Sequence, residues 1–328
     1  MKSFDALCIG NALIDILVEV PDQVIQDLEL TKGRQHALSE QQSKAVLEKI
    51  KFTHAKLTAG GGASNAIALL AQLGAKTIFY GSVGDDEYGI QYEKETKAAG
   101  VYARLHKSRT ITGHVAVLIT PDAERTLAVN LGASVLLKKE HIIEADIAAS
   151  NIIHLDGYLI EQAPEICKHA LALAKKHQVQ VSIDASDPGI IQRNRQQFID
   201  MIRTYSPILF ANEQEAKELT GKEPEAAARE LAAHAKIAVV KCGSNGSIIA
   251  ERNNLIKIAA AKAQAVDTTG AGDAYAGGFL YGCIKNWPLS KSGKLASTLA
   301  AKVVEQIGAR LERIPQSAME IVNDSTSI

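Results

Sequence analysis

The chain has 328 residues, 46% hydrophobic and 22% charged, with a formal net charge of −1, an ordinary globular composition long enough for one large α/β domain or two smaller ones. The near-neutral balance, without a basic block or basic–aromatic interleaving, excludes nucleic acid and the membrane surface as expected partners. Four cysteines with no C-x-x-C pair and nine histidines without ligand spacing argue against a thiol–imidazole metal site.

In chain order, the run 6–9 is predicted as a buried strand stopping at Gly10-Asn11, and 13–20 as a second strand with Asp15 near its start. The stretch 6–20 is interrupted by Gly10, Asn11 and Asp15 and is too short to span a bilayer, so a cytoplasmic protein is expected. Ser39 is placed as N-cap of a helix over 39–50. Gly60-Gly61-Gly62 leads into a helix over 63–73, where Ile67, Leu70 and Leu73 recur at helical intervals. A strand over 77–83, a turn at 84–86 and a helix over 88–99 follow. Strands are expected over 101–106 and 114–120, the latter alternating as a half-exposed strand does. From residue 151 the pattern is regular: strands over 152–155, 179–183, 208–210 and 237–241 alternate with helices over 164–177, 190–204, 213–220 and 224–235. A hairpin-like pair at 247–250 and 255–259 precedes helices over 271–285 and 290–307, and the tail beyond 322 is expected to be weakly ordered. Cys8, Cys167, Cys242 and Cys283 lie in apolar stretches and are expected as buried free thiols.

The β-α alternation predicts an α/β fold, a doubly wound, mostly parallel sheet with helices on both faces. The segments 12–38 and 108–130 break the alternation and are expected to form a small β-sheet lid inserted in one domain spanning 1–328.

The segment with most chemical content is Asp267-Thr-Thr-Gly-Ala-Gly-Asp273, a glycine-rich turn opening into a helix. Helix starts present unpaired N–H groups and the positive end of the dipole, so they attract anions. Gly270 and Gly272 let a ligand approach the backbone. An anion site beside a carboxylate suits phosphoryl transfer to an alcohol: Gly270, Ala271 and Gly272 hold the phosphoryl and Asp273 takes the hydroxyl proton. A plain tight turn with Asp273 favouring its own helix dipole accounts for the same residues. An Asp at a helix start is expected to have a low pKa and to be a weak base. No G-x-x-x-x-G-K-[ST] sequence is present, since Leu295 follows Gly293-Lys294, so phosphates must be held another way.

Other candidates carry two readings each. Asn212 and Glu215 have capping-box spacing, or they place a carboxylate near a hydrated Mg²⁺. The loop Lys241-Cys-Gly243-Ser-Asn-Gly246 follows a strand end, where open α/β sheets bind ligands, or is a hairpin turn. Gly61, Gly62 and Asn65 are a floor for a polyhydroxylated ring, or allow close packing. Asn11 and Asp15 are the polar residues of an apolar strand; a lone Asp there needs a partner or water, and carboxylates accept hydrogen bonds from vicinal diols. Arg125 is a phosphate contact from the lid or a solvated arginine.

Together, and in this order along nearly the whole chain, these residues resemble the ribokinase-like (PfkB) family of carbohydrate and nucleoside kinases. Gly60 to Asn65, with Gly81-Ser-Val-Gly-Asp-Asp-Glu-Tyr-Gly89, is similar to its N-terminal signature. Asp267 to Asp273 is similar to its C-terminal signature and Asn212-Glu-Gln-Glu215 to its metal-phosphate motif. The resemblance implies an α/β core with a β lid, Asp273 as base, and ATP along Lys241, Gly243 and Gly246 with Arg125 and Asn212. It implies Mg²⁺ near Glu215 and Asn212 through water, with a monovalent cation such as K⁺ as a further candidate. A monomer or a lid-mediated homodimer is the expected assembly. Within the family the likeness is to the adenosine kinase branch. Gly10-Asn-Ala-Leu-Ile-Asp15 resembles the strand supplying Asn11, Leu13 and Asp15 to the nucleoside site. Arg34-Gln35 resembles the lid segment near the base, and Asn130-Leu131 a second lid strand. Tyr158 stands where that branch often has an aromatic residue against the purine; stacking there is worth about 1–3 kcal/mol. Gly62 and Thr269 replace a serine and an asparagine of some adenosine kinases, and Lys241 stands where many members carry a small hydroxyl residue. The implied reaction is transfer from ATP to the 5′-OH of a purine ribonucleoside, adenosine to AMP. A kinase of the same family acting on a free sugar, such as ribose, fructose or 2-keto-3-deoxygluconate, is the alternative.

Overall fold

Ala6, Leu7, Cys8 and Ile9 are all fully buried, which requires a sheet covered on both faces. The structure, a computed structural model, describes residues 2–51, 54–122 and 124–324. Its strands in chain order are β1 (Phe4–Ile9), β2 (Leu13–Glu19), β3 (Gln35–Ala37), β4 (Lys56–Gly60), β5 (Thr77–Gly84), β6 (Val101–Ser108) and β7 (Gly113–Ile119). They continue with β8 (Arg125–Asn130), β9 (Ser150–Asp156), β10 (Gln180–Asp184), β11 (Ile208–Asn212), β12 (Ile237–Lys241), β13 (Ser247–Glu251) and β14 (Asn254–Ile258). The main sheet runs β14-β13-β12-β11-β10-β9-β1-β5-β6. It is parallel except for β13 and β14, which extend one edge as an antiparallel hairpin.

Alternate residues of β1 feed opposite cores, as the two-residue period demands. Ala6 and Cys8 join Phe79 and Phe279 beneath helices Gly62–Gln72, Ala271–Ile284 and Leu289–Val303. Leu7 and Ile9 join Ile153 and Phe198 beneath helices Pro164–Lys176, Pro188–Tyr205 and Pro224–Ala232. Cys8, Cys167 and Cys242 are buried and Cys283 half-buried, all as free thiols. Among the described residues no helix is long and apolar enough to cross a membrane.

The strand order turns at β1, whose neighbours are β5 on one side and β9 on the other. Loops leaving the carboxyl ends diverge at such a switch point and open a crevice. Here those ends carry polar residues: Asn11 just after β1, then Asp156, Asp184, Asn212 and Lys241 closing β9 to β12. The ladder sets Asp156 beside Asp184 and Asn212 beside Lys241.

The second sheet runs β3-β8-β7-β2-β4. It draws on both expected segments and also on β4, which lies outside them: β7 pairs with one edge of β2 in parallel, and β4 covers the other edge as an antiparallel neighbour. Asp22–Asp27 forms a short helix inside the first segment. The C-terminal helix predicted to 307 ends at Val303. Gly308, at φ +101°, turns the chain so that its N–H donates to Asp267. The expectation for the tail falls partly outside the described residues; Gln316–Asn323 is a helix with Ala318 buried.

Candidate functional site

Gly270 is the N-cap of helix Ala271–Ile284 with φ +78°, a left-handed conformation that disfavours any side chain. A Cβ there would lie 2.5 Å from the Ala309 Cβ. The turn leaves the N–H groups of Gly270, Gly272 and Asp273 without a hydrogen-bond partner among the described residues, while Ala271 N–H donates to Thr268 at 3.3 Å. Asp267 braces it, accepting from the Thr269 and Gly308 N–H groups at 2.9 Å each and pairing with Arg125. Burial pushes the Asp267 carboxyl up, but these donors outweigh it and hold it below the usual carboxylate value. Arg125, expected at the phosphate, is engaged with Asp267 and the Val266 carbonyl instead.

Asp273 stands in the first turn of this helix, at its third position. Asn65 Nδ2 donates to Asp273 Oδ2 at 2.9 Å, and Arg310 Nε donates to Asn65 Oδ1 at 3.0 Å. Both ends of the Asn65 amide, expected on a sugar hydroxyl, are thus committed to protein. Burial, reinforced by Asp184 and Asp156, pushes the Asp273 carboxyl up to about 7 despite Asn65 and Lys241. The low pKa expected from the helix dipole is therefore overturned: enclosure by the cleft walls outweighs a first-turn dipole effect. A carboxylate near 7 is well matched to proton abstraction at neutral pH.

Toward the second sheet, Asp15 has no hydrogen-bond or ion-pair partner among the described residues, and burial pushes its carboxyl up to about 7. Asn11 Nδ2 donates to Gln162 Oε1 at 2.9 Å. Gly61, at φ +96°, passes so close that a Cβ would meet the Asn11 carbonyl oxygen at 2.1 Å. Alternate residues of the second sheet turn to the cleft: Leu13, Asp15 and Leu17 on β2, Val115 and Val117 on β7, Leu127 and Val129 on β8. The intervening Ile14, Ile16, Ala116, Leu118 and Ala128 are buried on its other face. The half-exposed alternation read from the sequence of β7 thus belongs to a face turned toward a cleft.

At the opposite end, Glu215 Oε2 accepts from Asn212 N–H and Oε1 from Asn212 Nδ2, both at 2.7 Å. The capping box forms, and the same two residues line the cleft. Burial pushes the Glu215 carboxyl up. Lys241 Nζ donates to Asp184 Oδ2 at 2.8 Å. Burial alone would lower its pKa, but Asp184 and Glu215 hold it above the ordinary lysine value.

One cleft of about 1440 Å³ joins these parts. Its wall takes in Gln35, Gly62, Leu131, Tyr158, Gly243 and Gly246 with Asn11, Asp15, Gly61, Asn65, Asn212, Glu215, Lys241 and the turn from Gly270 to Asp273, but not Arg125 or Arg310. Asp156, Asp184, Gln162 and Arg310 were not singled out from the sequence. The first two carry a signal, a carboxylate closing an apolar strand. Asp156 Oδ2 accepts from Ala63 N–H at 3.1 Å and Oδ1 from Leu159 N–H at 2.8 Å, tying two helix starts together. Arg310 lies in an irregular segment and carries none.

Residues 32–316 match the pfkB family carbohydrate kinase. Among solved structures, a probable sugar kinase protein from Rhizobium etli CFN 42 is 31% identical and superimposes with a TM-score of 0.87, covering 98% of both chains. The adenosine kinase from Sinorhizobium meliloti is 30% identical, with a TM-score of 0.86 over 97% of this chain and 99% of that one. The adenosine kinase of Schizophyllum commune is 28% identical, over 95% of this chain and 98% of the relative.

Proposed function

This chain belongs to the pfkB family of carbohydrate kinases, and from that premise we propose that it phosphorylates the 5′-OH of a purine ribonucleoside, converting adenosine to AMP. It is an ATP-dependent kinase acting on a hydroxyl, as the family and its adenosine kinase relatives establish; the nucleoside acceptor is our reading.

What carries the reading is the apolar cleft face of the second sheet. Leu13, Val117, Val129 and Leu131 present side chains to a cleft in which Asp15 stands unpartnered. A purine covers such apolar surface and a free sugar does not, while the Asp15 carboxylate accepts from the vicinal hydroxyls of a ribose. Tyr158 and Gln35 lie on the same wall, beside the base in this reading. Asp273 takes the 5′-OH proton as the new O–P bond forms and ADP leaves with the electron pair of the broken bond. The unpartnered N–H groups of Gly270, Gly272 and Asp273 face the charge on the moving phosphoryl.

A Mg²⁺ ion fits this donor set. Carboxylates outnumber cationic side chains on the cleft wall, so a polyanionic nucleotide needs a divalent counter-charge there. Among the described residues no group of three ligands forms a cage, which suits an ion that keeps its waters and takes phosphate oxygens. Asn212 and Glu215 would hold it through water, and its charge would screen the phosphates.

An ADP-release assay over adenosine, inosine, guanosine, cytidine, ribose and fructose tests the acceptor. Adenosine is expected to give the highest kcat/KM. The Rhizobium etli likeness favours a sugar kinase as the second reading, and higher kcat/KM on ribose or fructose would replace the nucleoside with it. Asp15→Ala is expected to raise KM for adenosine about 10–100-fold with a smaller change in kcat, since a hydrogen bond to a charged group contributes about 1.5–3 kcal/mol. Equal use of adenosine and 2′-deoxyadenosine by the parent would disprove a diol contact at Asp15.

A further inference from the structure

We propose that Lys241 is a mobile cation of the phosphoryl site: its ammonium leaves Asp184 for the γ-phosphate of bound ATP and stays with that group through transfer. The proposal rests on the ATP-dependent kinase activity and is independent of which alcohol accepts the phosphoryl.

Lys241 closes β12 and reaches past β11 to Asp184 at the end of β10. Its Nζ also lies 3.0 Å from where a Cβ on Gly272 would sit. The ammonium is therefore pressed against the turn whose N–H groups have no partner, and glycine at 272 leaves the room for it. An ammonium has three donors, and Asp184 is its one hydrogen-bond acceptor among the described residues. A buried cation and a cluster of unsatisfied amide donors thus converge on one spot, an arrangement that is unfavourable until an anion joins them.

The other cations of the cleft do not offer this. Arg193 is held by both oxygens of Glu161, at 2.7 and 3.1 Å, and Lys262 is exposed on a loop. Lys241, with its side chain 15% exposed, is the enclosed one. Asp184 keeps a second anchor, accepting from the Ser186 N–H at 2.9 Å through Oδ1, so it stays in place when the ammonium departs. A flexible four-carbon stem ending in a compact charge suits such a swing. During transfer the acceptor oxygen bonds to Pγ, the bond from Pγ to the bridging oxygen breaks toward ADP, and the acceptor proton goes to Asp273. Lys241 keeps its protons and supplies charge only.

The test measures ATP and ADP affinity calorimetrically in the presence of MgCl₂, together with kcat, on the full chain. Lys241→Met is expected to weaken ATP binding about 10–100-fold and ADP binding by less than about threefold. It should lower kcat by about 10²–10³-fold. Asp184→Asn, which removes the resting partner but keeps the ammonium, is expected to retain selectivity for ATP over ADP. The double variant Asp184→Asn/Lys241→Met strands no buried charge, so it reports the same selective ATP loss even if Lys241→Met alone folds poorly. Equal weakening of ATP and ADP in the Lys241 variants, kcat near the parental value, or loss of selectivity in Asp184→Asn would each reduce the pair to a structural ion pair and overturn the proposal.

Discussion

Asp273→Asn is expected to lower kcat by about 10²–10⁴-fold while adenosine affinity changes little. The substitution keeps the side chain's shape and an acceptor for Asn65, so what it removes is the proposed base. The parent's kcat/KM should rise with pH through a midpoint near 7, where burial places the Asp273 carboxyl, and the residual activity of the variant should lack that limb. The same shift has a stability consequence of opposite sense. Between about pH 4 and 7 the folded chain holds a proton on Asp273 that the unfolded chain has released, so its contribution is full below about pH 4 and is lost as pH rises through 7. Without ligands, Asp273→Asn should therefore melt higher than the parent at pH 8, by on the order of 2 °C, and show no such gain at pH 4. Turnover close to the parental value would take Asp273 out of the base role.

The behaviour of Asp273 also marks where sequence reasoning stops. The glycine turn, the helix it opens and the strand-helix alternation around it are local features, set by residues close together in the chain, and they were legible. The pKa of Asp273 is not local: Asp156, Asp184, Lys241 and Asn65 come from four other elements, and their enclosure reverses the sign expected from the helix start. Asp156 and Asp184 could have been found by asking what closes each parallel strand, because the crevice forms at those ends. The strands β3, Gln-His-Ala, and β4, Lys-Leu-Thr-Ala-Gly, lack the continuous apolar run that marks equally short strands such as 208–210 and 237–241. They form because β8 and β2 offer them an edge. Arg310 acts through Asn65, 245 residues earlier, and no spacing rule reaches that far. The charge of Arg125 is visible in the sequence, but its pairing with Asp267 joins β8 to the distant glycine turn and leaves no local signal.

The brace around that turn sets a second large effect. Gly270→Ala is expected to destabilise the protein by roughly 2–4 kcal/mol, the sum of a left-handed backbone penalty and overpacking. It should also lower kcat by about 10²-fold or more, since displacing positioned donors by about 1 Å has that consequence. The contact term is specific: the new Cβ would lie 2.5 Å from the Ala309 Cβ and 2.6 Å from its Cα. Ala309 cannot yield freely, because the preceding Gly308 donates to Asp267 and the following Arg310 is tied to Ser64 and Asn65. Relief must come from the turn itself, which moves the amides of Gly272 and Asp273. Gly74→Ala supplies the control. Gly74 also has a positive φ, +93°, but nothing lies within 4 Å of its Cβ position. It should show only the backbone penalty, about 1 kcal/mol, with kcat unchanged. If the two variants lost similar activity and melted alike, the turn at 270 would be adaptable, and its amides could not be the preorganised donors that the proposed mechanism requires.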